Sequence, residues 1–401
     1  AEESPSLGVC GASGVWQKES VRKLAASIRA RYNTSLVIRN AKEEVVCEGG
    51  DNTGGSLSEI LDVCRLTGAQ TVYFNRLYEP SAVTRDAAVT RGLQRCGITV
   101  HSFAGHLLYE PQTVSNQLDT AGRWVGHWGT LMPFVKACER IGPVPRPRLA
   151  PVTIPTFRGP SSQNGMSIAI DLNTMSESTE PRSPVAWEAK IMRFWPMIGE
   201  EGAQEVLRRF IEAGLLRYES MRSKADRKDC VSNLSPHLRF GELSPRALYW
   251  AVKDRNLPRE KTKTFGRRLF WRDLAYYHLS VFPNMAEDPI RGHYADHAWR
   301  NDPDDLRRWQ QGKTGYPMVD AAMRELYATG WMTQSVRMVA ASFLTEYLNL
   351  DWTHGEKWFH KTLIDADPAI NAMMWQNAGR SGIDQWNFVL SPENASQDRS
   401  G

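Results

Sequence analysis

The chain has 401 residues, 41% of them hydrophobic, and a formal net charge of +4. That length accommodates two domains, and the composition is that of a globular protein rather than a fibrous or low-complexity one. The 49 basic and 45 acidic residues nearly cancel, so a surface for polyanions has to come from local clustering, and overall charge does not announce nucleic-acid binding.

From Trp16 to Tyr32, apolar Val21, Leu24, Ala25 and Ile28 recur at helical spacing between Lys18, Arg22, Lys23 and Arg29, which predicts an amphipathic helix. A strand is predicted over Ser35 to Arg39. A helix over Ser58 to Leu66, a strand over Thr71 to Phe74, a helix over Val83 to Cys96 and a strand over Ile98 to His101 follow. The alternation predicts an α/β domain with a parallel, Rossmann-like sheet over residues 1–142. Between Pro143 and Trp187 the chain is rich in Pro, Ser, Thr and Asn, with little periodicity, and reads as a linker.

Residues 188–401 read as an all-α domain, with helical patterns over Gly202 to Leu216, Pro245 to Lys253, Pro317 to Ala328 and Thr333 to Leu348. Six scattered cysteines (Cys10, Cys47, Cys64, Cys96, Cys138, Cys230) form neither a metal-binding spacing nor a disulfide framework, which suits a reducing, intracellular compartment. No apolar run is long enough to span a bilayer. The opening Ala1-Glu2-Glu3-Ser4-Pro5 agrees equally with a removed targeting peptide and with a shortened chain.

Chemistry-bearing residues gather in the second half. The segment Val231 to Arg246 concentrates hydroxyls before a helix beginning at Pro245; these suit phosphate oxygens, or simply cap a helix. The cluster Leu363 to Asn371 places Asp365, Asp367 and Asn371 within two turns, as a metal site, a polar turn or an N-cap. Of the 14 tryptophans, Trp299, Trp331, Trp352, Trp358 and Trp375 fall in the last third, where core filling is the plain explanation.

Longer strings are more specific. Trp309 to Arg324 (WQQGKTGYPMVDAAMR), Thr329-Gly330-Trp331-Met332, Arg337 to Leu344, Phe270-Trp271-Arg272-Asp273 and Asp365-Ala366-Asp367 resemble, in order, the cryptochrome/photolyase family. Val72 to Pro80 and Leu107 to Pro111 are similar to its N-terminal antenna domain, whose first strand and Arg-rich opening have no match here. The resemblance implies a blue-light-absorbing flavoprotein that binds FAD. Its pyrophosphate would lie near Ser232, Leu234 and Ser235, with Tyr218 close by. Arg272, Trp331, Gln334 and Arg337 would line the cavity, Arg337 pairing with Asp365, and Asp367 would contact the polar edge of the isoalloxazine. Asn371 matches the position facing flavin N5, where a neutral amide cannot readily deliver a proton and so favours an unprotonated reduced flavin. Trp375, Trp352 and Trp299 match an electron relay running from flavin to surface.

The pocket that in the family holds damaged DNA is only partly matched. Trp271 and Met338 agree with it, whereas Arg268 replaces a Glu, Asn377 a stacking Trp and Gln334 an Asn. Thr333-Gln334 replaces the paired histidines of the (6-4) subgroup. The resemblance therefore places a cryptochrome-like photoreceptor with protein signalling partners ahead of a photolyase that splits cyclobutane dimers in damaged DNA. A degenerate member serving as a binding or structural partner comes third. A second antenna chromophore, folate or deazaflavin, finds no support in the residues, and nucleus and plastid both suit the family.

Overall fold

The computed structural model describes residues 11–39, 41, 54–114, 117–118, 124–155 and 185–379. The chain opening, most of the predicted linker and the continuation from Arg380 to Phe388 lie outside them.

In the N-terminal part, β1 (Thr71–Asn75) and β2 (Thr99–Phe103) pair in parallel, Val72 opposite Val100. The crossover between them is α3 (Pro80–Arg95), which opens on Pro80, where the missing N–H would have had no helical partner, and buries Ala82, Ala88, Val89 and Leu93. Against α3 packs α2 (Gly54–Thr67). The predicted alternation is therefore present as a two-stranded parallel sheet. Beyond it come a short antiparallel ribbon, β3 (Gln117–Leu118) with β4 (Trp124–Gly126), and α4 (Leu131–Ile141), none of them predicted.

Two expectations for this part are corrected. Ser35 to Arg39 forms no strand, because a strand exists only through its ladder. A groove lined by Val37, Ile60, Val63 and Val72 separates this segment from β1, and Arg39 turns to Glu59 at 2.6 Å. The first helix, α1 (Gly11–Tyr32), does form, yet its apolar stripe is not its buried face: Leu24 is 37% exposed, and the buried residues are Ala12, Ser13 and Trp16 at its start. This end inserts into the helical part, beside α5 (Val185–Phe194) and α14 (Trp352–Thr362). The described start of the predicted linker is tied down as well: Val144 is buried, and Arg146 pairs with Asp254 at 2.9 Å while lying 3.9 Å over the Trp250 ring.

The helical part continues through α6 (Glu200–Arg209), α7 (Leu215–Met221), α8 (Ser235–Arg239), α9 (Pro245–Lys253) and α10 (Arg259–Val281). After it come α11 (Pro303–Gln310), α12 (Pro317–Thr329), α13 (Gln334–Ser342) and α15 (Pro368–Ala378), the last packed on α14. The helices predicted over Gly202 to Leu216 and Thr333 to Leu348 are each interrupted by one wide π turn, at Phe210–Gly214 and Phe343–Tyr347. Gly330, at φ 71°, ends α12 in the left-handed conformation that only glycine adopts at little cost, and its carbonyl accepts the amide of Ile364 at 2.9 Å.

The axle of the molecule is α10, which touches α4, α7, α9 and α15. Its Asp273 carboxylate accepts the amides of Tyr109 (2.8 Å) and Leu108 (3.3 Å), latching the N-terminal part onto the helical one. One turn further on, His278 contacts the Trp128 carbonyl at 2.8 Å.

Candidate functional site

The site is built where α15 begins. Asp367 caps that helix, one carboxylate oxygen accepting from the amides of Ala369 and Ile370 at 3.1 Å, while the other accepts the Tyr276 hydroxyl at 2.9 Å. Asp365, 7% exposed, receives Arg337 Nη2 at 2.9 and 3.1 Å, and Arg337 Nε is fixed by the Met332 carbonyl. Among the described residues no group of His, Cys, Asp and Glu could hold a metal, so the acidic pair acts as a cap and an ion-pair partner.

One turn into α15, Asn371 donates from Nδ2 to the backbone carbonyl of Glu356 (3.0 Å) and to its Oε1 (2.8 Å). Glu356 is 3% exposed. Burial pushes its carboxyl up to about 7, and nearby Glu287 adds to this, against the opposing pull of Asn371 and Lys357. Sequence reading missed Glu356, because nothing in its local sequence signals a partner on the next helix.

Trp375, four residues after Asn371 on the same helix, is buried against Phe359 (4.9 Å between ring centres) and Trp309 (6.3 Å). Trp352 is also buried, and Trp299 packs half-buried on the same cluster, edge-on to His297. The three tryptophans singled out from the sequence therefore share one hydrophobic cluster. Trp309, fully buried with its Nε1 bonded to the Ala340 carbonyl, joins it unforeseen.

On the other side, Ser232 Oγ accepts the Leu234 amide (3.4 Å) beside Asn233 at φ 53°. Trp331 Nε1 donates to Ser235 Oγ at 3.4 Å, and its ring meets Trp195, which in turn meets Trp16. Tyr218 is buried edge-on to Phe210 and Phe265, in the cluster that also holds Leu234. Gln334 is half-buried at the start of α13.

Arg272 is fully engaged. It hydrogen-bonds the His106 carbonyl and ring and lies 5.2 Å over the Tyr276 ring. Burial, then the positive charges of Arg272 and Arg239, hold the His106 imidazole well below its usual range, hence neutral. Arg239 bridges the Ala366 carbonyl (2.9 Å) and Glu79 (3.1 Å). His106, Tyr276, Arg239 and Glu79 thus join the N-terminal part to the Asp365–Asp367 corner, a connection that spacing along the chain gave no hint of.

The remaining candidates separate. Trp271 and Asn377 line one small cavity with His278, Ile290, Met373 and Gln376. Arg268 is exposed on α10, and Met338 is half-buried on α13. In the cavity wall, the fully buried Gln376 donates to the carbonyls of Met285 (2.7 Å) and Asp288 (2.6 Å) and accepts from the Ile290 amide (3.0 Å).

The structure is thus a small parallel α/β unit latched to a helical body, with a buried polar corner beside a tryptophan-containing hydrophobic cluster. The chain belongs to the cryptochrome/photolyase family and binds FAD: residues 4–149 match the family described as DNA photolyase, and residues 265–400 the FAD binding domain of DNA photolyase. It is 33% identical to the deoxyribodipyrimidine photo-lyase of Agrobacterium fabrum over 93% of this chain and 72% of that protein. It is equally 33% identical to cryptochrome-1 of Arabidopsis thaliana, over 90% of this chain but only 50% of that protein. In structure it resembles a bacterial class III photolyase from Agrobacterium tumefaciens (TM-score 0.82, 32% identity, 98% of this chain and 75% of that one). It shares the fold of a Synechocystis cryptochrome (TM-score 0.74, 24% identity, 95% and 74%). Among the described residues no helix is long and apolar enough to cross a membrane.

Proposed function

We propose that this protein is a cryptochrome-like blue-light photoreceptor that signals to a protein partner through photoreduction of its flavin. The observation that carries the reading is the face of α15, where buried Asn371 and buried Trp375 stand four residues apart, so that a polar contact for the flavin and an oxidisable indole adjoin. The donor set suits a flavin. The Arg337–Asp365 pair offers both signs of charge to a polar ring edge, and among the described residues Asn371 Oδ1 has no hydrogen-bond partner. Ser232, Leu234 and Ser235 would hold the pyrophosphate, with Tyr218, Trp331, Gln334, Arg272 and Asp367 completing the enclosure.

When bound, FAD supplies the light absorption and the one-electron chemistry. The protein's part is to exclude water from Trp375, pass the resulting hole to Trp352 and Trp299, and hold Asn371 and the ion pair in place. On the lesion side, Arg268 is exposed and Asn377 offers no stacking surface, which supports signalling over repair.

The similarity to the Agrobacterium photo-lyase over most of this chain favours a second reading, light-driven splitting of cyclobutane dimers in damaged DNA. The deciding experiment mixes photoreduced protein with dimer-containing oligothymidine under blue light. No recovery of thymine absorbance is expected; recovery would install the second reading.

A further inference from the structure

Asn371 has one carboxamide with two protons to give and one oxygen to accept with, so its partners can be counted. Nδ2 reaches the backbone carbonyl of Glu356 at 3.0 Å and the Glu356 Oε1 at 2.8 Å. A carbonyl oxygen can only accept, so nitrogen must be on that side whichever protonation state the carboxyl adopts. Both amide protons are then spent, and Oδ1 is left without a partner among the described residues.

We propose that Glu356 is a positioning residue for the flavin: by taking both side-chain protons of Asn371 it leaves that residue able only to accept across the cavity. The proposal rests on the reading that Asn371 faces flavin N5. An N5 that carries a proton finds an acceptor at Oδ1, while a bare N5, itself an acceptor, meets Oδ1 lone pair against lone pair. The amide still cannot deliver a proton, so N5 is slow to gain one and, having gained it, is held in that state. This refines the expectation from sequence that an amide at this position simply favours the unprotonated form. The groups acting on Glu356 are Asn371 from α15, Lys357 from its own helix and Glu287 from the segment after α10. Among the described residues none of them forms a salt bridge with the carboxyl, whose side-chain hydrogen bond is to Asn371.

The test compares Glu356→Gln with Glu356→Leu in the FAD-loaded protein. Glutamine keeps an acceptor for Nδ2; leucine removes it and frees one amide proton to turn toward N5. In Glu356→Leu the pH at which N5 loses its proton, read from the absorbance of the photoreduced protein, should fall by about one unit, the tenfold effect of about one net hydrogen bond. In the dark the same variant should bind oxidised FAD severalfold more tightly, because a donor now meets bare N5. Glu356→Gln should match the wild type in both.

If Glu356→Leu titrates as wild type while Asn371→Leu shifts, the positioning role is wrong and the placement of Asn371 stands. If neither shifts, the placement itself is wrong. Hydrogen exchange of the Asn371 side-chain amide in the wild-type holoprotein decides the matter independently of variant folding: both protons should be protected, and rapid exchange of either overturns the proposal.

Discussion

A Cβ at position 355 would come within 2.1 Å of Cη2 of Trp375, so the Trp375 indole rests directly on the bare backbone of Gly355. A glycine inside α14 lowers helix propensity, and its compensation here is the close approach that lets α15 bring Trp375 against its neighbour. Gly355→Ala should force the indole aside, destabilise the fold by about 1–3 kcal/mol in urea unfolding, and slow light-driven reduction of FAD. Wild-type reduction kinetics in this variant would show that the seat of Trp375 is immaterial.

Trp375→Phe separates the electron from the packing. Phenylalanine keeps an aromatic ring against Phe359 but is far harder to oxidise, so FAD should stay bound while photoreduction slows by orders of magnitude, as followed by flash absorption. An unchanged rate would remove Trp375 as the donor and draw attention to Trp309, which touches the same cluster.

The parts of this protein legible from sequence were those whose signal is local. The β1–α3–β2 alternation showed as runs of Val, Tyr, Phe and Thr against a helical period, and α12 showed from its opening Pro317 to Ala328, one residue short of its observed end at Thr329. By contrast α10, 23 residues long, was read only through its motif Phe270-Trp271-Arg272-Asp273. Its second half is buried on every side, Asp273 through Leu279 without a break, so there is no polar face to set a period. The expected stripe of α1 misled for the opposite reason, since the pattern was real but the burying contacts are made by the first two turns. Glu356 and Gln376 were invisible because their partners are brought in by tertiary packing, for Gln376 from 86 to 91 residues away. The lesion-side substitutions Arg268 and Asn377 were legible only by comparison with a family pattern.

Asp273 gives the latch between the two parts a pH dependence of definite sign. Burial pushes its carboxyl up to about 7, against the pull of the Tyr109 amide, Arg272 and the Leu108 amide. The folded chain therefore keeps a proton over the interval, from about 4 to about 7, in which the unfolded chain has released it. The associated stability is complete below the unfolded value and is lost as pH rises through about 7. Wild-type stability relative to Asp273→Asn should fall between pH 5 and pH 8 in urea titrations, and a flat difference would sink the assignment. Asp273→Ala should cost more, because two buried amides lose their acceptor at on the order of 1–3 kcal/mol each.

Gln376 tests whether the wall of the small cavity depends on one side chain. Its carboxamide satisfies the carbonyls of Met285 and Asp288 and the amide of Ile290. Gln376→Leu fills a similar volume but leaves three backbone groups bare, and it should lower the unfolding free energy, read from urea titration, by on the order of 3 kcal/mol or more. Faster amide exchange should follow in 285–290. A loss below about 1 kcal/mol would mean that water replaces the carboxamide.

The Arg337–Asp365 pair lets fold and cofactor be told apart. Asp365 is 3% exposed in its side chain and Arg337 19%, so removing the guanidinium in Arg337→Met strands a carboxylate in a dry site. The loss should be on the order of 3 kcal/mol, the lower end for a buried pair because Arg337 keeps some contact with water. Most of that cost is the orphaned charge rather than the broken attraction. The double change Arg337→Met with Asp365→Leu should therefore recover much of the stability, since neither charge is then left to be solvated. FAD affinity has no such compensation: if the pair faces the isoalloxazine, the doubly substituted protein should fold nearly as well as wild type and still bind FAD at least tenfold more weakly by fluorescence titration. Recovery of both stability and affinity would confine the pair to an architectural role.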